Sequence, residues 1–103
     1  MRSLAAAALF LLGASALAAP YPLGTMTCED IAQFASESMG WRKADVPKEE
    51  ALARLEEREY GDPVEKRNLT VVVDLVYGRY GNNWSIEGAG RALRGDCLRG
   101  REE

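Results

Sequence analysis

Asp62-Pro63-Val64-Glu65-Lys66-Arg67-Asn68-Leu69-Thr70-Val71-Val72-Val73-Asp74-Leu75-Val76-Tyr77 admits two readings, and the choice between them sets the fold class. Thr70 to Val73 are β-branched and suit a strand by propensity alone. Against this, Leu69, Val72, Val73, Val76, Tyr77 and Tyr80 recur at i, i+3, i+4, i+7, i+8 and i+11, a helical stripe that a strand of period two cannot use. The start of the segment also carries helix signals: Asp62 as cap, Pro63 at the first position, Glu65 at the third. A lone strand among helices would have no partner for its ladder. The segment therefore reads as a helix, entered through a turn at Tyr60-Gly61-Asp62-Pro63.

Three more helices flank this one in the sequence. Downstream, Gly81-Asn82-Asn83 reads as a loop, Ser85 as a cap, and Trp84 as a hydrophobic staple over Ala89. Ile86, Ala89, Gly90, Leu93 and Cys97 then share one face. Gly88 and Gly90 lower intrinsic helicity but permit close approach by a neighbouring helix. Upstream, Thr27 caps a first helix whose Glu29 and Asp30 sit at the positive end of the helix dipole. Ile31, Phe34, Ala35, Ser38 and Trp41 fall on one face of it, Gly40 weakens its last turn, and Asp45-Val46-Pro47 ends it. Pro47, Glu49 and Glu50 open a second helix with the thin apolar content Ala51, Leu52 and Leu55.

The expected fold is an all-α, four-helix up-down bundle. In that topology the start of the first helix and the end of the fourth lie at the same end. Cys28 and Cys97 occupy those two positions, so a disulfide between the first and last helices is expected. Closing a loop of about 70 residues contributes roughly 4 kcal/mol in the loop-entropy account.

Oxidation fits the reading of the N-terminus. Arg2, the apolar run Leu4 to Leu12 and the small-residue string Gly13 to Ala19 form a signal peptide cut after Ala18. Leu4 to Ala19 is shorter than the roughly 20 residues of a membrane-spanning helix. Residues 1–18 are thus signal, 19–26 an extended lead-in with Pro20, Pro22 and Gly24, 27–100 the helical domain, and 101–103 a tail. The expected location is periplasmic or secreted, with no stable membrane insertion after cleavage.

Without the signal, Arg2 leaves the 13 Lys+Arg, so 12 cations face 16 Asp+Glu, and nucleic acid is not an expected partner. The charge is uneven: residues 45 to 65 hold eight acids and three bases, residues 79 to 101 five arginines and two acids.

Residues that would name a reaction are scarce. There is no histidine, the two cysteines are spoken for, and no cofactor or metal is expected. Glu49-Glu50 and Glu56-Glu57, interleaved with Lys48, Arg54 and Arg58, read as a solvated face unless a cleft perturbs them. Gly88-Ala89-Gly90-Arg91 lacks the strand that a phosphate loop needs. Asn68-Leu69-Thr70 and Asn83-Trp84-Ser85 match the glycosylation acceptor pattern, relevant only to a eukaryotic secretory route.

Tyr77 to Trp84 is the segment best suited to recognition, because Tyr, Trp, Arg, Asn and Gly dominate contact surfaces. Arg79, Tyr80, Asn82, Asn83 and Trp84 are its candidate contacts. The competing reading places Tyr77 and Tyr80 in the core and uses Trp84 as the staple alone.

Thr27-Cys28-Glu29-Asp30, followed by Ile31, resembles the opening of the first helix in small periplasmic acid-stress chaperones of the HdeA type. Those are signal-bearing helical proteins with one disulfide. The resemblance covers five residues; here the cysteines stand further apart, and six residues follow Cys97 where that family continues with another helix. Across most of the mature chain, Cys28, the run Arg42, Val46, Pro47, Ala51, Leu52, the Val76-Tyr77 pair and the C-terminal cysteine resemble a group of short exported proteobacterial proteins without assigned function. That resemblance implies export and helices and transfers no catalytic residue. The functional expectation is a non-catalytic exported protein that binds another protein, as an inhibitor, immunity factor or envelope accessory. An acid-stress chaperone and a carboxylate-dependent cell-envelope hydrolase are the alternatives.

Overall fold

The structure, a computed structural model, describes residues 24 and 26–102. The expected signal, most of the lead-in and Glu103 lie outside them. Four helices follow in order: α1 (Cys28–Lys43), α2 (Lys48–Glu56), α3 (Pro63–Tyr77) and α4 (Ile86–Glu102), with a 3₁₀ turn at Arg79–Asn83 between the last two. No strand occurs among the described residues.

α1, α3 and α4 start where a side chain satisfies one of their first N–H groups, whereas α2 follows Pro47 with no side-chain cap. Thr27 Oγ1 accepts from the Asp30 N–H at 3.0 Å, and the Asp30 carboxylate accepts from the Thr27 N–H at 3.0 Å, a reciprocal capping box. Asp62 Oδ1 accepts from Val64 N–H at 2.9 Å with Pro63 at the first position of α3. Ser85 Oγ accepts from Gly88 N–H at 2.9 Å at the head of α4. α1 ends in a Schellman pair, Val46 N–H to Trp41 C=O and Asp45 N–H to Arg42 C=O, both at 3.0 Å. That geometry places Asp45 in the left-handed region at φ 66°, where glycine is the usual occupant.

Packing decides the ambiguity of residues 70–73 in favour of helix. Val72, Val73 and Val76 are each 0% exposed. Burying a valine contributes about 1.5 kcal/mol or more, against a few tenths lost to its helix propensity. Thr70 adapts by donating its hydroxyl to Lys66 C=O at 2.8 Å, one turn back.

α1 is the centre of the bundle, packed most extensively on α4 and next on α3, while α2 lies mainly on α3. Ile31, Phe34, Ala35 and Met39 of α1 meet Leu69, Val72 and Val76 of α3 and Ala89 and Leu93 of α4 in one core. At Gly90 the approach of α4 to α1 is so close that a Cβ would stand 2.5 Å from Ser36 Oγ. Arg94 adds an ion pair to Glu29 across the same interface at 3.0 Å.

α2 compensates for its thin apolar face with arginines. Ala51 and Leu55 are buried, and Arg54 lies over the Trp41 ring at 5.0 Å. Arg58, just past the helix, covers Phe34 at 4.9 Å and pairs with Glu37 at 3.1 Å. Lys48–Asp74 at 3.0 Å and Lys66–Glu56 at 2.7 Å tie α2 to α3.

Cys28 and Cys97 are bonded, with Cα atoms 5.6 Å apart and both side chains buried. The described residues therefore form an all-α, four-helix up-down bundle whose first and last helices are joined by one disulfide.

Two local expectations are corrected. Tyr80 does not extend the buried stripe of α3: the helix stops at Tyr77, and Tyr80 is 65% exposed on the 3₁₀ turn. Ile86, placed on the inner face of α4, is exposed because it sits in the first turn, above the core.

Candidate functional site

The turn between α3 and α4 is built by a residue 40 positions upstream. Arg42, half-buried in the last turn of α1, donates from Nη1 to Val76 C=O at 2.7 Å and to Gly78 C=O at 3.0 Å. Its Nη2 donates to Asn82 Oδ1. One guanidinium thus satisfies carbonyls that the end of α3 leaves without intrahelical partners. The turn adds its own bonds, Gly81 N–H to Gly78 C=O at 3.1 Å and Trp84 N–H to Gly81 C=O at 3.2 Å. Gly81 is buried against this latch, and a Cβ there would stand 2.0 Å from Val76 O and 2.9 Å from Arg42 Nη1. Only glycine fits.

The latch directs the candidate contacts to different fates. Arg79, Tyr80 and Asn83 are exposed. Asn82 is exposed too, but its side-chain oxygen is held by Arg42. Trp84 is half-buried against the core. Tyr77, also half-buried, donates its hydroxyl to Val46 C=O at 2.8 Å. Cys28 and Cys97 lie at the opposite end of the bundle and are structural.

Tyr80 and Trp84 open onto a hollow of 470 Å³ between α3 and α4, whose other walls are Leu75, Ala92, Leu93, Asp96 and Arg99. Asp96 and Arg99 form an ion pair at 3.5 Å on its rim. Tyr80, Trp84 and Leu93 stood out in the sequence. Leu75 and Ala92 did not, since they fall beside the stripes of their helices, and Arg42 gave no local sign of its role.

A second hollow of 330 Å³ lies on the other side of α3, walled by Met26, Phe34, Tyr60 and Leu69 with Asp30, Glu37, Arg58, Glu59 and Glu65 around it. Tyr60 donates its hydroxyl to Leu55 C=O at 2.7 Å. Burial lifts the Tyr60 and Tyr77 phenols above their ordinary value of 10, partly countered by nearby arginines. Among the described residues no Asp or Glu side chain is buried, and no group of three or more His, Cys, Asp or Glu is placed to hold a metal ion. No described helix is long and apolar enough to cross a membrane. Asn68, first residue of one acceptor pattern, is 0% exposed within α3.

No protein-family model matches this chain, and comparison with curated proteins and with solved structures found no similar protein.

Proposed function

We propose that this is a non-catalytic exported protein that binds another protein through the surface formed by Arg79, Tyr80, Asn83 and Trp84. One observation carries the reading: an exposed tyrosine and a half-buried tryptophan flank an apolar hollow, on a turn that Arg42 holds rigid from below. Aromatic residues at the edge of a hollow are the usual anchors of protein interfaces, and a turn ordered in advance loses little entropy on binding. The Cys28–Cys97 bond supports export, because disulfides persist in oxidising compartments.

The test compares the oxidised protein with an Arg79→Ala, Tyr80→Ala variant in affinity capture from the exported fraction of its source. Both residues are exposed, so the fold is retained and is checked by circular dichroism. A discrete protein retained by the wild type and reduced about tenfold by the variant is expected. Equal retention, or no retained protein, defeats the reading.

A second reading, an acid-stress chaperone, draws on the ion pairs that stitch the helices together: Glu29–Arg94, Glu56–Lys66 and Asp74–Lys48. Carboxylates as a class lose their charge in acid, which leaves the cations to repel, while the disulfide limits expansion. The specific consequence is suppression of client aggregation at about pH 2 to 3. Clients that aggregate as fast without the protein as with it exclude this role.

A further inference from the structure

On the export reading above, we infer that the segment Ala19-Pro20-Tyr21-Pro22-Leu23 at the start of the mature chain turns back along α3 and fills the hollow between α3 and α4.

The segment joins the described residues at the foot of α3. Gly24 lies against the first turn of that helix, where a Cβ on it would stand 3.3 Å from Val64 Cγ1 and 3.1 Å from Asp62 Oδ2. Its φ of 58° is left-handed, a turn at which the residues before it can change direction. From this point a stripe runs up α3. Val64, Val71 and Leu75 recur at i, i+7 and i+11, and all three are half-buried beside the fully buried Val72 and Val76. Leu75, at the top of the stripe, is the α3 wall of the hollow, and Ala92 and Leu93 form its α4 wall.

Length, charge and residue type agree on this occupant. From Val64 to Leu75 the helix rises about 16 Å. Five residues in the polyproline II conformation, which Pro20 and Pro22 favour, span about 15 Å. Leu23 and Pro22 would then cover Val64 and Val71, and Tyr21, Pro20 and Ala19 would reach the hollow. The segment carries no charged side chain. Arg99 and Asp96, the one cation and the one anion in the lining, pair with each other at 3.5 Å, so neither calls for a charged ligand. The rest of the edge is aromatic, Tyr80 and Trp84, and extended proline-containing segments dock on aromatic-lined grooves. The hollow beside Met26 has Asp30, Glu37, Glu59 and Glu65 around it and suits an uncharged segment less well. A tether decides between this segment and a free ligand of the same type: a short linker sets an effective concentration in the mM range.

The test takes the oxidised, isotope-labelled protein purified after export, its N-terminus fixed by mass, and seeks nuclear Overhauser contacts from residues 19–23. Contacts from Pro20 and Tyr21 to the methyl groups of Leu75 and Leu93 and to the Trp84 indole are expected. They should persist on tenfold dilution and be absent between labelled and unlabelled copies. Tyr21→Ser combined with Leu23→Ser should abolish them and shift the Leu75, Leu93 and Trp84 signals, while Val72 and Val73 stay in place and show the fold intact. Absence of contacts in the unsubstituted protein, contacts to Met26, Phe34 or Tyr60 instead, or contacts formed only between copies overturns the proposal. A mass that retains residues 1–18 removes the export reading, and the same contacts still decide the docking. Loss of the docking leaves protein binding to be judged by the capture experiment with Arg79→Ala, Tyr80→Ala.

Discussion

Replacing Arg42 by alanine isolates the interaction that shapes the candidate surface. The change removes two hydrogen bonds from a cation to backbone carbonyls, at 2.7 Å to Val76 and 3.0 Å to Gly78, and a third to the exposed Asn82 side chain. Bonds to a charged group contribute about 1.5–3 kcal/mol each in net stability. Arg42 is half-buried, so the lower figure applies to the two carbonyl bonds and little to the exposed one, a loss of about 3 kcal/mol. For a domain of this size that corresponds to a fall in melting temperature on the order of 10–20 °C. The loss should be concentrated locally as well: the Gly81 and Trp84 amides, bonded to Gly78 and Gly81 carbonyls, exchange faster relative to core amides such as Val73. Arg42→Lys, which keeps the charge but cannot fork between two carbonyls, recovers less than half of the loss. Urea unfolding of the oxidised protein and amide hydrogen exchange measure both effects. A stability change below about 0.5 kcal/mol, or unchanged exchange at Gly81 and Trp84, would mean that the turn holds itself and that the latch is incidental.

Three further outcomes follow from single residues. Asp45→Gly relieves the left-handed backbone at φ 66° and should raise stability by about 0.5 kcal/mol after the entropy added to the unfolded chain, read by thermal unfolding; a loss would show that the aspartate side chain holds that turn. Asn68, fully buried, leaves its Oδ1 without a partner and offers Nδ2 only a 3.8 Å contact to Met26 Sδ, so Asn68→Leu should stabilise by about 1 kcal/mol, and a drop in the urea midpoint would refute the unsatisfied acceptor. The Tyr60 and Tyr77 phenols are held protonated in the folded state to higher pH than in the unfolded one, so their contribution is complete below pH 10 and is lost as pH rises through their raised folded values. Stability should accordingly decline above pH 10 and decline less steeply in a Tyr60→Phe, Tyr77→Phe variant, whereas parallel pH profiles would contradict the sign.

Features encoded within a few residues were legible in the sequence. Thr27, Asp62 and Ser85 each cap the helix that they announce, and the Leu69 to Val76 stripe is buried as its period requires. The Cys28–Cys97 bond agrees with the expected topology and with the expectation of export. Features that depend on distant partners were not legible. Tyr80 continues the spacing of α3, yet Gly78 and the bonds from Arg42, 34 to 40 residues away, end that helix early and turn the ring outward. Arg54 and Arg58 read as part of a solvated face, but they stack on Trp41 and Phe34, which sequence spacing does not link to them. The hollow between α3 and α4 arises because both helices pack mainly on α1, which neither helix's own sequence reveals. The candidate surface of Arg79, Tyr80, Asn83 and Trp84 was therefore recognisable from residue type, whereas Leu75 and Ala92 beside it and the support from Arg42 were not.

The central claim, that the turn between α3 and α4 is a protein-binding surface, is tested most directly by placing a photo-crosslinking amino acid at position 80 and, in a separate variant, at the exposed position 53 on α2. Irradiation in the native exported fraction should join position 80 to one discrete protein, leave position 53 unjoined, and lose the product when Arg79→Ala is added. Equal crosslinking from both positions, or a product that survives Arg79→Ala undiminished, would contradict the account.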